Sequence, residues 1–324
     1  MRSIFNTLNT RHVDNLFIQP TMWCAFNCID CYVKASSVSS LAIPLKFWQA
    51  LMHSYIFQKN ECYANQITIS IDSLPKNNSL QKDYMKNVFD TYSALAVQAQ
   101  SFLEKPELHI TIHDINVLNQ DYKALDLLSI KRVFDLISFS WITMEDIPMI
   151  QEIRKTKTLV NWNCMPNGIS AERLANKLTE LAPHLDQIYL ILNKDPIGKS
   201  GSMEIGKHKM KYYTDIAGFL MKNLATDVKA KIQIDGCVQI ASKYQTSNLG
   251  CSSNISRVQV WPDGTVSGCP YAGSTIGKRP ELFEDLLENI SRSRKQYDFK
   301  KCHLPQNYKD NQKRSTNSSL KILE

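Results

Sequence analysis

Cys24, Cys28 and Cys31 stand in a C-x3-C-x2-C arrangement inside residues 22–32, MWCAFNCIDCY. Three thiolates this close can hold three irons of one cubane iron–sulfur cluster, and no fourth cysteine follows nearby. The fourth iron would then be open to a small-molecule ligand, which is a place for one-electron chemistry. Two other uses fit the same spacing. Offsets of 0, 4 and 7 fall on one helix face, where buried free cysteines are common. A structural zinc site would need a fourth ligand from a distant cysteine or histidine.

Composition narrows the setting. The chain has 324 residues, 43% of them hydrophobic, enough for a large domain with an appendage. Its nine cysteines are an odd number, with no secretory signal pattern and no apolar run long enough to span a bilayer. A disulfide framework is disfavoured, and a reducing cytoplasm is the expected setting. The net charge is +7, and Lys300, Lys301, Lys309, Lys313, Arg314 and Lys321 gather near the end. Such a tail can attract nucleic acid, but its sparse aromatics favour a solvated, disordered segment over 309–324.

The elements that must position the cysteines follow from periodicity. Residues 15–21 predict a short strand that runs straight into the cysteine stretch. Further strands are predicted at 66–72, 107–114, 134–142, 158–165 and 186–193. Helical patterns separate them at 45–58, 79–104, 120–128, after Thr143 and Asp146, after Ser170, and at 207–225. Six alternations of strand and helix predict parallel strands joined by right-handed crossovers, too few for a complete eight-stranded barrel.

Polar residues recur at every second strand position: Ser70 and Asp72; His109, Thr111 and His113; Ser138 and Ser140; Asn161 and Asn163. The residues between them are mostly apolar, so one face packs on helices and the other lines a polar lumen. Such a lumen is costly as mere core and suits a polar cofactor and substrate. Cys62 and Cys164 read as core residues, Cys164 falling on the apolar phase of its strand.

The cysteine stretch, fed by a strand that opens a six-unit series, resembles the radical SAM (S-adenosylmethionine) family. The resemblance implies an α/β fold, a partial (βα)6 TIM-type barrel over residues 1–226. It also implies a [4Fe-4S] cluster on Cys24, Cys28 and Cys31, with S-adenosylmethionine chelating the free iron. An electron from the cluster then splits the sulfonium, and the resulting 5′-deoxyadenosyl radical abstracts hydrogen from a substrate. The family's second strand ends in a Gly-Gly-Glu-type motif, where this chain reads ITISIDSLP, with Asp72 as the available negative partner. Its third cysteine often follows an aromatic residue, where this chain has Asp30.

Past residue 226 the pattern changes. Residues 229–238 predict a strand, and 256–271 a β-hairpin around Pro262, Asp263 and Gly264. The spacing Cys251-x12-Gly264-x4-Cys269 resembles the opening of the SPASM or twitch extension behind many radical SAM barrels. That likeness implies a small C-terminal α+β extension over 227–308. It implies one auxiliary iron–sulfur cluster on Cys251, Cys269 and Cys302, with Cys237 or substrate completing it and His303 as a less favoured substitute. An ordinary hairpin with buried cysteines is the plainer alternative.

The expectations are therefore these. Asp30, Ser70, Asp72, Ser138, Ser140, Asn161 and Asn163 would hold cofactor, and His113, Asp114 or Tyr189 would orient substrate or move a proton. The substrate would be a peptide or protein, with a sugar, aminoglycoside or nucleotide as runner-up. A low-potential donor such as ferredoxin or flavodoxin would supply electrons. A degenerate barrel binding RNA or a partner, and a zinc protein, are the competing classes.

Overall fold

A computed structural model describes residues 13–24, 42–44, 46, 64–71, 107–114, 134–166, 168–191, 203–234, 257–262 and 266–267, with positions 83, 84, 87, 88, 90, 91 and 94. Within them lies one nine-stranded sheet. Its strands are β1 (Val13–Ile18), β2 (Ala64–Ile71), β3 (Glu107–Asp114), β4 (Leu136–Trp141), β5 (Leu159–Cys164), β6 (Gln187–Leu190), β7 (Ile232–Ile234), β8 (Arg257–Val260) and β9 (Val266–Ser267). The order across the sheet is β7-β6-β5-β4-β3-β2-β1-β8-β9. Strands β1 to β8 run parallel, and β9 turns back antiparallel on β8. This is an open, curled sheet with helices, a partial TIM-type barrel.

All six strands expected from the alternating pattern are present, and the sheet grows by one parallel strand at each edge. β7 joins β6, and β8 joins β1. The strand expected from residue 229 starts later, because Thr226–Lys231 forms a short helix that buries Val228. Its alanine and lysines are good helix formers, and the β-branched pair Ile232 and Ile234 comes only afterwards.

The helices with continuous description are α1 (Ile147–Lys155), α2 (Ala171–Leu181), α3 (Met203–Asn223) and α4 (Thr226–Lys231). Ser170 caps α2 as its position predicts, its hydroxyl accepting from Arg173 N at 3.3 Å. Ahead of α1, Met144–Asp146 forms a 3₁₀ turn. The buried Asp146 carboxylate accepts from Thr143 N at 2.7 Å and from Thr143 Oγ1 at 2.9 Å. Ile147, Ile150 and Ile153 of α1, and Leu174, Leu178 and Leu181 of α2, recur at helical spacing and are buried against the sheet.

Register assigns each side chain to a face. Val260, Ile18, Ile69, Ile110, Ile137 and Val160 pair in one line across six strands, and each is fully buried. They belong to the core cluster that holds the α1, α2 and α3 side chains, so this face meets the helices. Each such aliphatic residue contributes about 1.5–3 kcal/mol by leaving water. The next line toward the strands' C-terminal ends is Ser70, Thr111, Ser138, Asn161 and Gln187, on the other face. The polar alternation in the sequence is therefore a real surface on the inner side of the sheet.

Two aspartates just ahead of strands fasten the register. Asp135, preceding β4, accepts from Leu108 N of β3 at 2.9 Å. Asp186, preceding β6, accepts from Val160 N of β5 at 2.9 Å and pairs with Arg154 of α1 at 2.8 Å. Replacing Asp186 with alanine leaves the Val160 amide without its acceptor and Arg154 without its ion pair. Asp186→Ala is expected to destabilise the protein by about 1–3 kcal/mol, read as a lowered urea midpoint with an unchanged slope.

Candidate functional site

Past the C-terminal end of β1 the chain is pinned rather than loose. Ile43 N donates to Pro20 O at 2.8 Å, and Thr21 bridges antiparallel to Ala42. The Tyr84 hydroxyl reaches Ile43 O at 2.6 Å and Pro20 O at 3.2 Å. Burial pushes that hydroxyl well above the usual phenol range, so it stays protonated as a donor. Trp23 N donates to Thr21 Oγ1 at 3.0 Å, and Trp23 and Cys24 are buried next in line. Cys24 is 6% exposed. The first cysteine of the motif thus sits on a braced segment just past the C-terminal end of β1.

Cys28, Cys31, Asp30, Asp72, Cys62, Cys237, Cys251, Cys269 and Cys302 lie outside the described residues. Among the described residues, no three His, Cys, Asp or Glu side chains stand together in a metal-holding group. Cys164 packs in the core, and burial pushes its thiol up to about 12. It is a protonated core residue and not a ligand.

The structure brings together three of the residues expected to hold cofactor. Asn161 Nδ2 donates to Ser138 Oγ at 3.0 Å and to Asn163 Oδ1 at 2.8 Å. Asn161 is 5% exposed, and its Oδ1 has no hydrogen-bond partner. Ser70 is buried two strands from Ser138, in the same register line. Ser140 follows Phe139 and is half-buried, as is Asn163. Asn163 pairs in register with Tyr189, two residues further toward the mouth than the Ser138–Asn161 line. His113 is half-buried near the end of β3. Asp114 takes the register position of Trp141, out of phase with His113.

A second polar group, which the motifs did not single out, occupies the opposite end of the inner face. Thr68 Oγ1 donates to Asn15 Oδ1 at 3.4 Å, and Asn15 Nδ2 donates to Gln66 Oε1 at 3.0 Å. Gln66 Nε2 donates to His109 Nδ1, and His109 Nε2 meets Glu107 Oε2 at 3.2 Å. The chain of donors assigns one neutral tautomer to His109, with the proton on Nε2. Alternation at Gln66, Thr68 and His109 was the available signal, but nothing in the sequence says which polar residues satisfy each other.

No protein-family model matches the chain, and no curated protein does. Solved structures do. The chain is similar to Streptococcus suis SuiB bound to S-adenosylmethionine, with TM-score 0.57 and 14% identity, covering 88% of this chain and 67% of that one. It is similar to SuiB bound to the precursor peptide SuiA, with TM-score 0.56 and 14% identity, covering 89% of this chain and 66% of that one. The chain thus spans about two thirds of SuiB's length. At 14% identity these likenesses show a shared fold. Among the described residues, no helix is long and apolar enough to cross a membrane.

Burial lowers the pKa of His109, against the opposing pull of Glu107 and Asp135. A base whose folded pKa is lowered binds fewer protons folded than unfolded, so stability falls as pH drops below its unfolded value of about 6.5. The melting temperature is expected to fall between about pH 7.5 and about pH 5.5, and His109→Gln is expected to shrink that fall. Thermal melts of both proteins at the two pH values check it.

Proposed function

We propose that this chain is a radical SAM enzyme that abstracts hydrogen from a peptide or protein substrate. The observation that carries the reading is the placement of Cys24. It is buried on a pinned segment immediately past β1, above a sheet whose inner face is polar. Cys24, Cys28 and Cys31 would hold a [4Fe-4S] cluster, and the donor set of three thiolates with no fourth nearby fits that group. When bound, the cluster supplies the electron that cleaves S-adenosylmethionine.

The chain's own residues would do the rest. Ser70, Ser138, Ser140, Asn161 and Asn163, with Asp30 and Asp72, would hold the polar parts of the cofactor. Asn161 is held in place through its own donor group while Oδ1 remains to accept from a ligand. His113, Asp114 or Tyr189 would orient substrate or move its proton. The polar wall excludes apolar packing, and the helices close the other side.

The C-terminal region supports an auxiliary cluster in this reading. Cys269 follows β9 by two residues, and the β8–β9 hairpin is joined directly to β1, the strand that leads to Cys24. Cys251, Cys269, Cys302 and Cys237 would be its ligands. A peptide substrate leads because SuiB, the similar structure, was crystallised with a precursor peptide. A sugar, aminoglycoside or nucleotide is the runner-up. A ferredoxin or flavodoxin in the cytoplasm would be the electron source.

Protein reconstituted anaerobically with iron and sulfide, then reduced, is expected to convert S-adenosylmethionine to 5′-deoxyadenosine. Cys28→Ala is expected to give only background. Product no higher in the parent than in the variant overturns the proposal. Addition of peptide or sugar pools to the same assay distinguishes the two substrate classes by which raises the yield.

A further inference from the structure

Gln259, on β8, has no part in the site described above. It is 1% exposed, and among the described residues neither Oε1 nor Nε2 of its carboxamide has a hydrogen-bond partner. Register fixes the face it occupies. Val258 and Val260, on either side of it, belong to the apolar core. Gln259 itself pairs with Phe17 of β1, in line with Thr68 and His109 on the inner face.

A buried amide with no partner is destabilising, whereas an apolar residue of similar shape in its place is not. Four of its neighbours on this face do not behave that way. Asn15, Gln66, Thr68 and His109, close by, bond to one another. Asn161, five strands along the sheet from Gln259, also keeps a buried oxygen without a partner. The two walls of the inner face thus each present an unmet amide group. Folding alone does not account for either, and a polar ligand that enters between them does.

We infer that Gln259 reads the main chain of the substrate, its Oε1 accepting from a peptide N–H and its Nε2 donating to a peptide C=O. This rests on the peptide reading proposed above and names the group that recognises it. A carboxamide offers one acceptor and one donor side by side. An extended peptide residue presents its own N–H and C=O on one side and matches both. Phosphates and carboxylates only accept, so they would leave Oε1 facing an acceptor. Arg257 lies over the ring of Phe17, with Cζ at 5.0 Å from its centre, and Arg257 Nε has no partner either. This long side chain, next to Gln259 on the same face, is the flexible element that shifts to admit the peptide.

The test compares the anaerobically reconstituted full chain with its Gln259→Met variant, which keeps volume and removes both polar atoms. Two measurements are made: the melting temperature, and equilibrium dialysis against a random pool of acetylated, amidated hexapeptides with retained peptide counted by mass spectrometry. A parallel dialysis uses adenosine, whose base edge also pairs a donor with an acceptor. The variant is expected to melt no lower than the parent and to retain at least ~10-fold less peptide. A melting temperature lowered by ~3 °C or more would show that the carboxamide has a structural partner, and would overturn the inference. No peptide retention by the parent, equal retention by both proteins, or loss confined to adenosine would each overturn it too. Folding and peptide retention are read here, and cofactor cleavage is not, so the result is separable from the deoxyadenosine assay.

Discussion

The whole arrangement depends on one geometric constraint. In a β-strand, successive side chains point to opposite faces, so a register slip of one residue exchanges the two faces of the sheet. Here those faces have opposite needs. The line from Val260 through Ile18, Ile69, Ile110 and Ile137 to Val160 must stay dry beneath the helices. The Ser70–Thr111–Ser138–Asn161–Gln187 line needs hydrogen-bond partners. A slip would bury the second set under hydrocarbon and present the first to a polar lumen. Asp135 and Asp186, each set just before a strand and bonded to the start of its neighbour, oppose that slip.

The inner face is not uniform in how its polar groups are met. Toward the strand starts, Thr68, Asn15, Gln66, His109 and Glu107 form a donor chain that ends on a carboxylate in water. Those five residues need nothing from a ligand. Toward the mouth, Asn161 spends its donor on Ser138 and Asn163 and keeps an unused oxygen. That oxygen lies toward the end where β1 delivers Cys24.

Much of this was legible in the sequence because it depends on local periodicity. Six strands, the Ser170 cap, the inner polar rows and the core position of Cys164 all follow from alternation or from a capping residue in the right place. What was not legible depends on distant pairing. β7 is three residues long and follows directly on a helical turn, so its start was displaced. The partner of β8 is a strand more than two hundred residues earlier, and a hairpin pattern gives no sign of which edge it will join. Gln259 sits between two valines in RVQV, a clear half-buried strand, yet only the pairing with Phe17 reveals which side it takes. Polar alternation identified the lining residues but not which would satisfy each other, as the Gln66–His109 contact shows.

The seating of β8 beside β1 has a consequence for how the chain can be divided. A boundary drawn ahead of the hairpin looks like the end of a self-contained unit followed by an accessory. Cutting there would strip β1 of one ladder and leave Leu16 and Ile18 without the flanking cover of Val258 and Val260. The severed piece would carry a raw, sticky margin along the very strand that leads to the cysteines, ready to zip onto a neighbouring molecule. The β8–β9 hairpin is thus a selvedge to the sheet, and a version shortened ahead of it would fail first by clumping.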